Sequence, residues 1–165
     1  MAGALVLPSC GLCRTTKALP GAEREVPEGL LVNFHNHGPR GFPVVLLPEF
    51  NVFNRWQWRR EPHHVRPLSW VESLVHLPLE GYYVLRRELL LEDGKSKWPR
   101  GTLVQLGYDR FASPIVFIAQ QRQHLSDNFL WFSDRGLAID DDSLGSLETL
   151  VVHEEPDAEH APGRT

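Results

Sequence analysis

Short apolar runs separated by turn residues are the dominant pattern of this chain. The pattern is clearest over residues 81–139, which contain GYYVLRRELLLE, TLVQLGY, SPIVFIAQ, DNFLWF and GLAI with polar, Gly or Pro residues between them. Runs of this length and composition predict strands of an antiparallel sheet that curls on itself. We therefore predict a mainly β protein, either a small, partly open antiparallel barrel or a strongly bent sheet.

Three similar runs precede this region. They are LLVNFH, FPVVLLP and NVFNRWQWRR, within residues 30–60, and each predicts a strand. In the third run Phe53 is out of step with the alternation of Val52, Trp56 and Trp58. That mismatch predicts a bulge or an irregular start of the strand.

One or two short helices are also predicted. Ser69 and Glu72 have the spacing of a capping box, and the apolar residues at 70, 74 and 77 share one helical face before Pro78 ends the helix. The aspartates at 140–142 offer an N-cap for a last short helix near residues 144–150.

The length of 165 residues fits one domain with a core of its own. Frequent Gly and Pro predict an irregular N-terminal arm over residues 1–29. A single β-rich domain is expected at residues 30–152. An acidic tail, expected to be disordered, follows at residues 153–165.

The segment from Tyr82 to Ile139, in which a proline and a glycine precede TLVQL, resembles an SH3-like barrel. The resemblance covers about a third of the chain. It implies a small barrel but supplies no binding residues, because no diagnostic motif accompanies it.

Charge is distributed unevenly along the chain. The net charge is −4, and residues 134–165 hold 9 acidic against 2 basic residues, which makes this end a solvated or docking segment. Arginine supplies most of the cations, which fits either anion recognition or a GC-rich, bacterial genome. No apolar run is long enough to cross a bilayer and no export signal is recognisable, so the cytoplasm is the expected location and no membrane contact is expected.

The richest cluster of functional side chains lies within residues 54–66. The candidate binding residues are Arg55, Trp56, Trp58, Arg59, Arg60 and Arg66. Trp and Arg dominate protein interfaces, and the same two residue types hold the phosphates and stack on the bases of single-stranded nucleic acid. In the simplest alternative both indoles face the core while the arginines face water.

Metal-ligand residues form a second candidate group. Cys10 and Cys13 have C-x-x-C spacing, and His35 and His37 are the nearest pair that could complete a zinc site. Zinc is therefore the one cofactor that the residues suggest. Two free thiols in a cytosolic arm are the alternative.

Catalytic motifs are not recognisable: the sequence has no nucleophile elbow, phosphate loop, dinucleotide fingerprint or His-Glu-x-x-His. We therefore expect no catalytic residues and predict a non-catalytic protein–protein interaction or accessory module, which binds a protein partner or a second copy of itself. The first alternative is a nucleic-acid-binding accessory protein. The second is a metal-dependent enzyme built around His35 and His37, with His63 or His64.

Overall fold

A computed structural model describes residues 7–38, 41–91, 94–121 and 129–153 of the chain. Strands make up 43 % of the structure and helices 8 %, which confirms a mainly β protein with two short helices. Among the described residues no sheet closes into a barrel, and the SH3-like resemblance is not confirmed. The tail expected at residues 153–165 lies outside the described residues apart from residue 153, and residues 122–128 also lie outside them.

Fifteen strands are present in the described ranges. In chain order they are β1 (Gly11–Thr15), β2 (Leu31–His35), β3 (Val44–Leu46), β4 (Pro48–Val52), β5 (Arg55–Trp58), β6 (His63–His64), β7 (Leu74–His76), β8 (Gly81–Leu85), β9 (Leu89–Leu90), β10 (Lys97–Trp98), β11 (Leu103–Tyr108), β12 (Pro114–Gln121), β13 (Leu130–Phe132), β14 (Leu137–Ala138) and β15 (Leu147–Thr149).

These strands form two main antiparallel sheets. The first sheet has the order β6-β3-β2-β1-β7. The second has the order β13-β12-β11-β8-β15, and β14 also pairs with β12. Two hairpins, β4–β5 and β9–β10, form small sheets of their own.

Strand β1 lies inside the segment that we expected to be irregular, and residues 11–15 correct that expectation. It pairs with β2 on one side and with β7 on the other, so that Cys13 is opposite both Val32 and His76. The run is only five residues long and the sequence around it is rich in Gly and Pro. Its extended conformation depends on two partner strands that are distant in the sequence.

The first core covers one face of the first sheet. A 3-10 helix at Leu68–Ser73 and the loop after β1 close this face from the outside. The core consists of Cys13, Leu19, Val26, Leu30, Val32, Phe34, Val45, Leu47, Val65, Trp70, Val71 and Leu74.

The second core fills the space between the two sheets. Leu12 and Leu31 reach it from the first sheet, because successive residues of a strand point to opposite faces. The second sheet, strand β9 and the neighbouring loops contribute Leu77, Tyr83, Leu85, Leu89, Val104, Leu106, Tyr108, Ala112 and Val116. The first sheet is therefore buried on both faces along β1 and β2.

Both helices are shorter than the sequence predicts. Pro67 begins the 3-10 helix without a side-chain cap, so the predicted Ser69 capping box does not form. The residues after Ser73 join β7, because their backbone pairs with β1. The second helix, α1 (Asp141–Leu144), has the predicted cap: the Asp140 carboxylate accepts from the Ser143 amide at 2.8 Å. It ends early because β15 pairs with β8.

Polar contacts also connect the two sheets. The Leu31 amide donates to the Arg110 carbonyl at 3.0 Å, and the Tyr108 hydroxyl donates to the Pro78 carbonyl at 2.9 Å. Arg14 of β1 forms a two-point ion pair with Asp141 at the start of α1. Strand β1 is thereby held to the second half of the chain by both apolar and charged contacts.

Neither helix in the described part of the chain has the length and apolar character that crossing a bilayer requires.

Replacing Leu31 by alanine tests the packing of the two sheets. Leu31 is fully buried between them, so Leu31→Ala should lower the free energy of unfolding by about 3 kcal/mol through lost burial and the cavity left behind. Urea denaturation followed by tryptophan fluorescence measures the change. Leu79→Ala, at a side chain that is 64 % exposed, is the control, and equal losses in the two variants would contradict this packing.

Candidate functional site

The Arg/Trp-rich segment forms the second strand of the β4–β5 hairpin. Phe53 and Asn54 make the two-residue turn, both with positive φ (49° and 65°), as in tight hairpin turns. Residues 51–60 are therefore not one strand, because the chain reverses at Phe53. The register shift that we predicted near Phe53 lies instead between Pro48 and Phe50.

The two tryptophans of β5 face inward. Both are half-buried and pack against the second core, and the Trp56 indole N–H donates to the Tyr108 carbonyl at 2.8 Å. Arg55 and Gln57 alternate with them and are exposed. The indole and guanidinium side chains thus leave β5 on opposite sides.

The outward face of the hairpin combines residues from both strands. Cross-strand partners share a face, and Val52 is opposite Arg55 while Phe50 is opposite Gln57. The exposed fractions are 53 % for Phe50, 42 % for Val52 and 92 % for Phe53 at the turn. We call this set, Phe50, Val52, Phe53, Arg55 and Gln57, the hairpin face.

More cations lie beside the hairpin face. Arg59, Arg60 and Arg66 follow β5 and are exposed. The sequence pattern identified the arginines of this region but missed the aromatic partners Phe50 and Phe53. The signal that could have found them is Asn54, a residue that tolerates positive φ and so favours a turn in the middle of the run.

Besides the Trp56 indole hydrogen bond, further polar contacts and one close backbone approach hold the hairpin against the second sheet. The Asn54 amide donates to Gln105 Oε1 at 2.9 Å, and the Trp56 backbone amide donates to Glu80 Oε2 at 3.1 Å. Gly107 permits the approach, since a Cβ there would lie 3.3 Å from Asn54 Cβ. The hairpin is therefore anchored on its inner side and open on its outer side.

Burial raises the pKa of Glu80 above the ordinary glutamate value, although the Trp56 amide and the Arg55 charge act in the opposite direction. Its second oxygen, Oε1, is buried and finds no hydrogen-bond donor among the described residues. Burial thus disfavours the ionised form of Glu80 directly beneath the hairpin.

The candidate metal ligands separate into two places. Cys10, just before β1, lies beside His35 and His37, and the ligand atoms of these three residues are all within 4.8 Å of one another. Cys13 does not belong to this group. It is buried in the first core with its Sγ 3.7 Å from His76 Nδ1, and burial raises the pKa of its thiol to about 12.

His63 and His64 form β6, at the edge of the first sheet, and they are not part of the metal-ligand group found among the described residues. The turn carboxylate Asp109 is engaged in local structure: it accepts from the amides of Phe111 and Ser113, each at 2.8 Å.

No protein-family model, curated protein sequence or solved structure matches this chain.

Replacing Glu80 by glutamine tests the electrostatics beneath the hairpin. A raised pKa means that ionisation disfavours the folded state, so wild type loses stability as pH rises from the ordinary glutamate pKa through the raised value. The stability of Glu80→Gln relative to wild type should therefore increase as the pH rises above the ordinary glutamate pKa. Urea midpoints across this range measure it, with Glu49→Gln on the exposed part of the hairpin as the control for charge removal.

Proposed function

We propose that this protein is a non-catalytic interaction module whose hairpin face binds a protein partner. The partner that fits is a surface with one or two apolar side chains flanked by carboxylates. We expect the protein to act in the cytoplasm of a bacterial cell. The observation that carries it is the exposure of Phe50 and Phe53 beside Arg55 on a hairpin whose inner side is anchored.

Exposed aromatic residues beside arginine are the side chains that supply most binding energy at protein interfaces. A phenylalanine that is 92 % exposed is costly to hydrate and gains from being covered by a partner. The anchored inner side also limits the entropy that the hairpin would lose on binding. These features favour recognition over a purely structural role for the hairpin.

Charge favours an acidic partner. The hairpin and the residues after it, 48–66, carry four arginines and two glutamates, although the chain as a whole has a net charge of −4. Such a local excess of positive charge attracts carboxylates and speeds association.

Nucleic acid is the weaker alternative for this surface. Stacking on bases needs exposed aromatic planes, and the two indoles that suggested it are half-buried against the second core. Glu49 and Glu61 in the same region would also repel phosphates.

The test begins with a photo-reactive amino acid at Gln57, in the middle of the hairpin face, in cells that express the protein. A cross-linked protein is then purified, and its binding is measured by calorimetry. Phe53→Ser and Arg55→Glu should each weaken binding by at least about ten-fold, as truncation of interface anchors does. The matched controls are Leu90→Ser and Arg100→Glu, at exposed positions outside the β4–β5 hairpin, and both should bind like wild type.

Three results would overturn the proposal. One is an affinity that the two hairpin variants leave unchanged. Another is hairpin-dependent dimerisation in sedimentation experiments, which would replace the partner by a second copy. The last is hairpin-dependent binding of a fluorescent single-stranded oligonucleotide at about 50 mM salt, which would assign the surface to nucleic acid.

A further inference from the structure

The group formed by Cys10, His35 and His37 lies at one end of the first sheet, away from the contacts that define the hairpin face. The pairing of β1 with β2 creates it: Gly11 is opposite Phe34, so the residue before β1 meets the residues that end β2. The His35 and His37 rings are 5.9 Å apart, centroid to centroid, in an edge-to-face arrangement.

The distances within this group match a metal coordination shell. Cys10 Sγ lies 3.6 Å from His37 Nδ1. Around a tetrahedral zinc ion with Zn–S of about 2.3 Å and Zn–N of about 2.0–2.1 Å, a sulfur and a nitrogen ligand are separated by about 3.5–3.6 Å. The sulfur and the nearest imidazole nitrogen are therefore already at the spacing that a shared ion requires.

The chemistry of the donors also suits a metal. The Asn36 backbone amide donates to Cys10 Sγ at 3.4 Å, a contact that stabilises negative charge on a thiolate ligand. One thiolate and two imidazoles select zinc and other borderline-soft divalent ions over magnesium or calcium.

Neighbouring groups hold the ligands in place. The Asn36 side-chain amide donates to the Pro8 carbonyl at 3.0 Å, which holds the residue between His35 and His37 in place. Gly38, the residue after His37, lies close to the Phe42 backbone, because a Cβ at Gly38 would lie 2.4 Å from the Phe42 carbonyl oxygen. Supporting contacts of this kind orient ligands and raise metal affinity.

We propose that Cys10, His35 and His37 bind one zinc ion, with water in the fourth coordination position. Cys10 and His37 are exposed, so the ion is accessible from solvent. Three protein ligands and one exchangeable position are the arrangement of a zinc site that can still accept a small anionic or thiol ligand. This site is separate from the hairpin face and does not depend on the proposed partner binding.

Cobalt substitution of the full chain, purified without a histidine tag and stripped with a chelator, tests the site. Wild type should bind one equivalent of Co²⁺ with the near-ultraviolet thiolate-to-cobalt charge-transfer band and the intense visible bands of four-coordinate cobalt. Added Zn²⁺ should displace the cobalt. The charge-transfer band reports sulfur ligation directly, so weak binding to scattered histidines does not produce it.

Substitutions identify the ligands. Cys10→Ser should lose the charge-transfer band, and His35→Ala and His37→Ala should each lower zinc affinity by at least about ten-fold. The matched controls are Cys13→Ala, which removes the other cysteine, and His76→Ala, which removes an exposed histidine outside the group; both should keep the band. Circular dichroism of each variant establishes that it is folded.

Other results would overturn the inference. They are a wild-type protein that binds no stoichiometric cobalt or zinc, a band that survives Cys10→Ser, and a band that disappears in Cys13→Ala. Because partner binding is measured by the hairpin variants and metal binding by spectroscopy, failure of one proposal leaves the other standing.

Discussion

The two-sided burial of β1 is the constraint on which the rest of the structure depends. Leu12 points into the core between the sheets and Cys13 into the opposite core, while the backbone between them bonds to β2 and β7. A strand with apolar contacts on both faces and neighbours on both edges cannot shift by one residue without exchanging its faces. Strand β1 therefore sets the register of the whole first sheet.

The hairpin face follows from how the hairpin is attached to this framework. Packing Trp56 against the second core stabilises the hairpin, and strand alternation then directs Arg55 to solvent. The turn at Phe53 and Asn54 brings a second strand alongside, which adds Phe50 and Val52 to the exposed side. Packing against the core and the proposed recognition thus use opposite faces of the same two strands.

The same pairing of β1 with β2 separates the two cysteines of the C-x-x-C pair. The spacing suggests that both thiols bind one ion, yet Cys13 is a buried core residue and Cys10 lies beside His35 and His37. The candidate ligand group therefore combines residues about 25 positions apart in the sequence. Hydrophobic burial decides which thiol is available, because a thiol enclosed by apolar side chains resists ionisation.

Local pattern determined the mainly β class, the strands around residues 81–85, 103–108 and 114–121, and the Asp140 cap. These features depend on alternation or on capping between near neighbours, which a short stretch of sequence contains. Only the tertiary structure decided that residues 11–15, 74–76 and 147–149 are strands, that Phe50 and Phe53 join Arg55, and that Cys10 rather than Cys13 meets the histidines. Each of these outcomes depends on hydrogen bonds and burial supplied by distant segments, and periodicity within one segment carries no record of them.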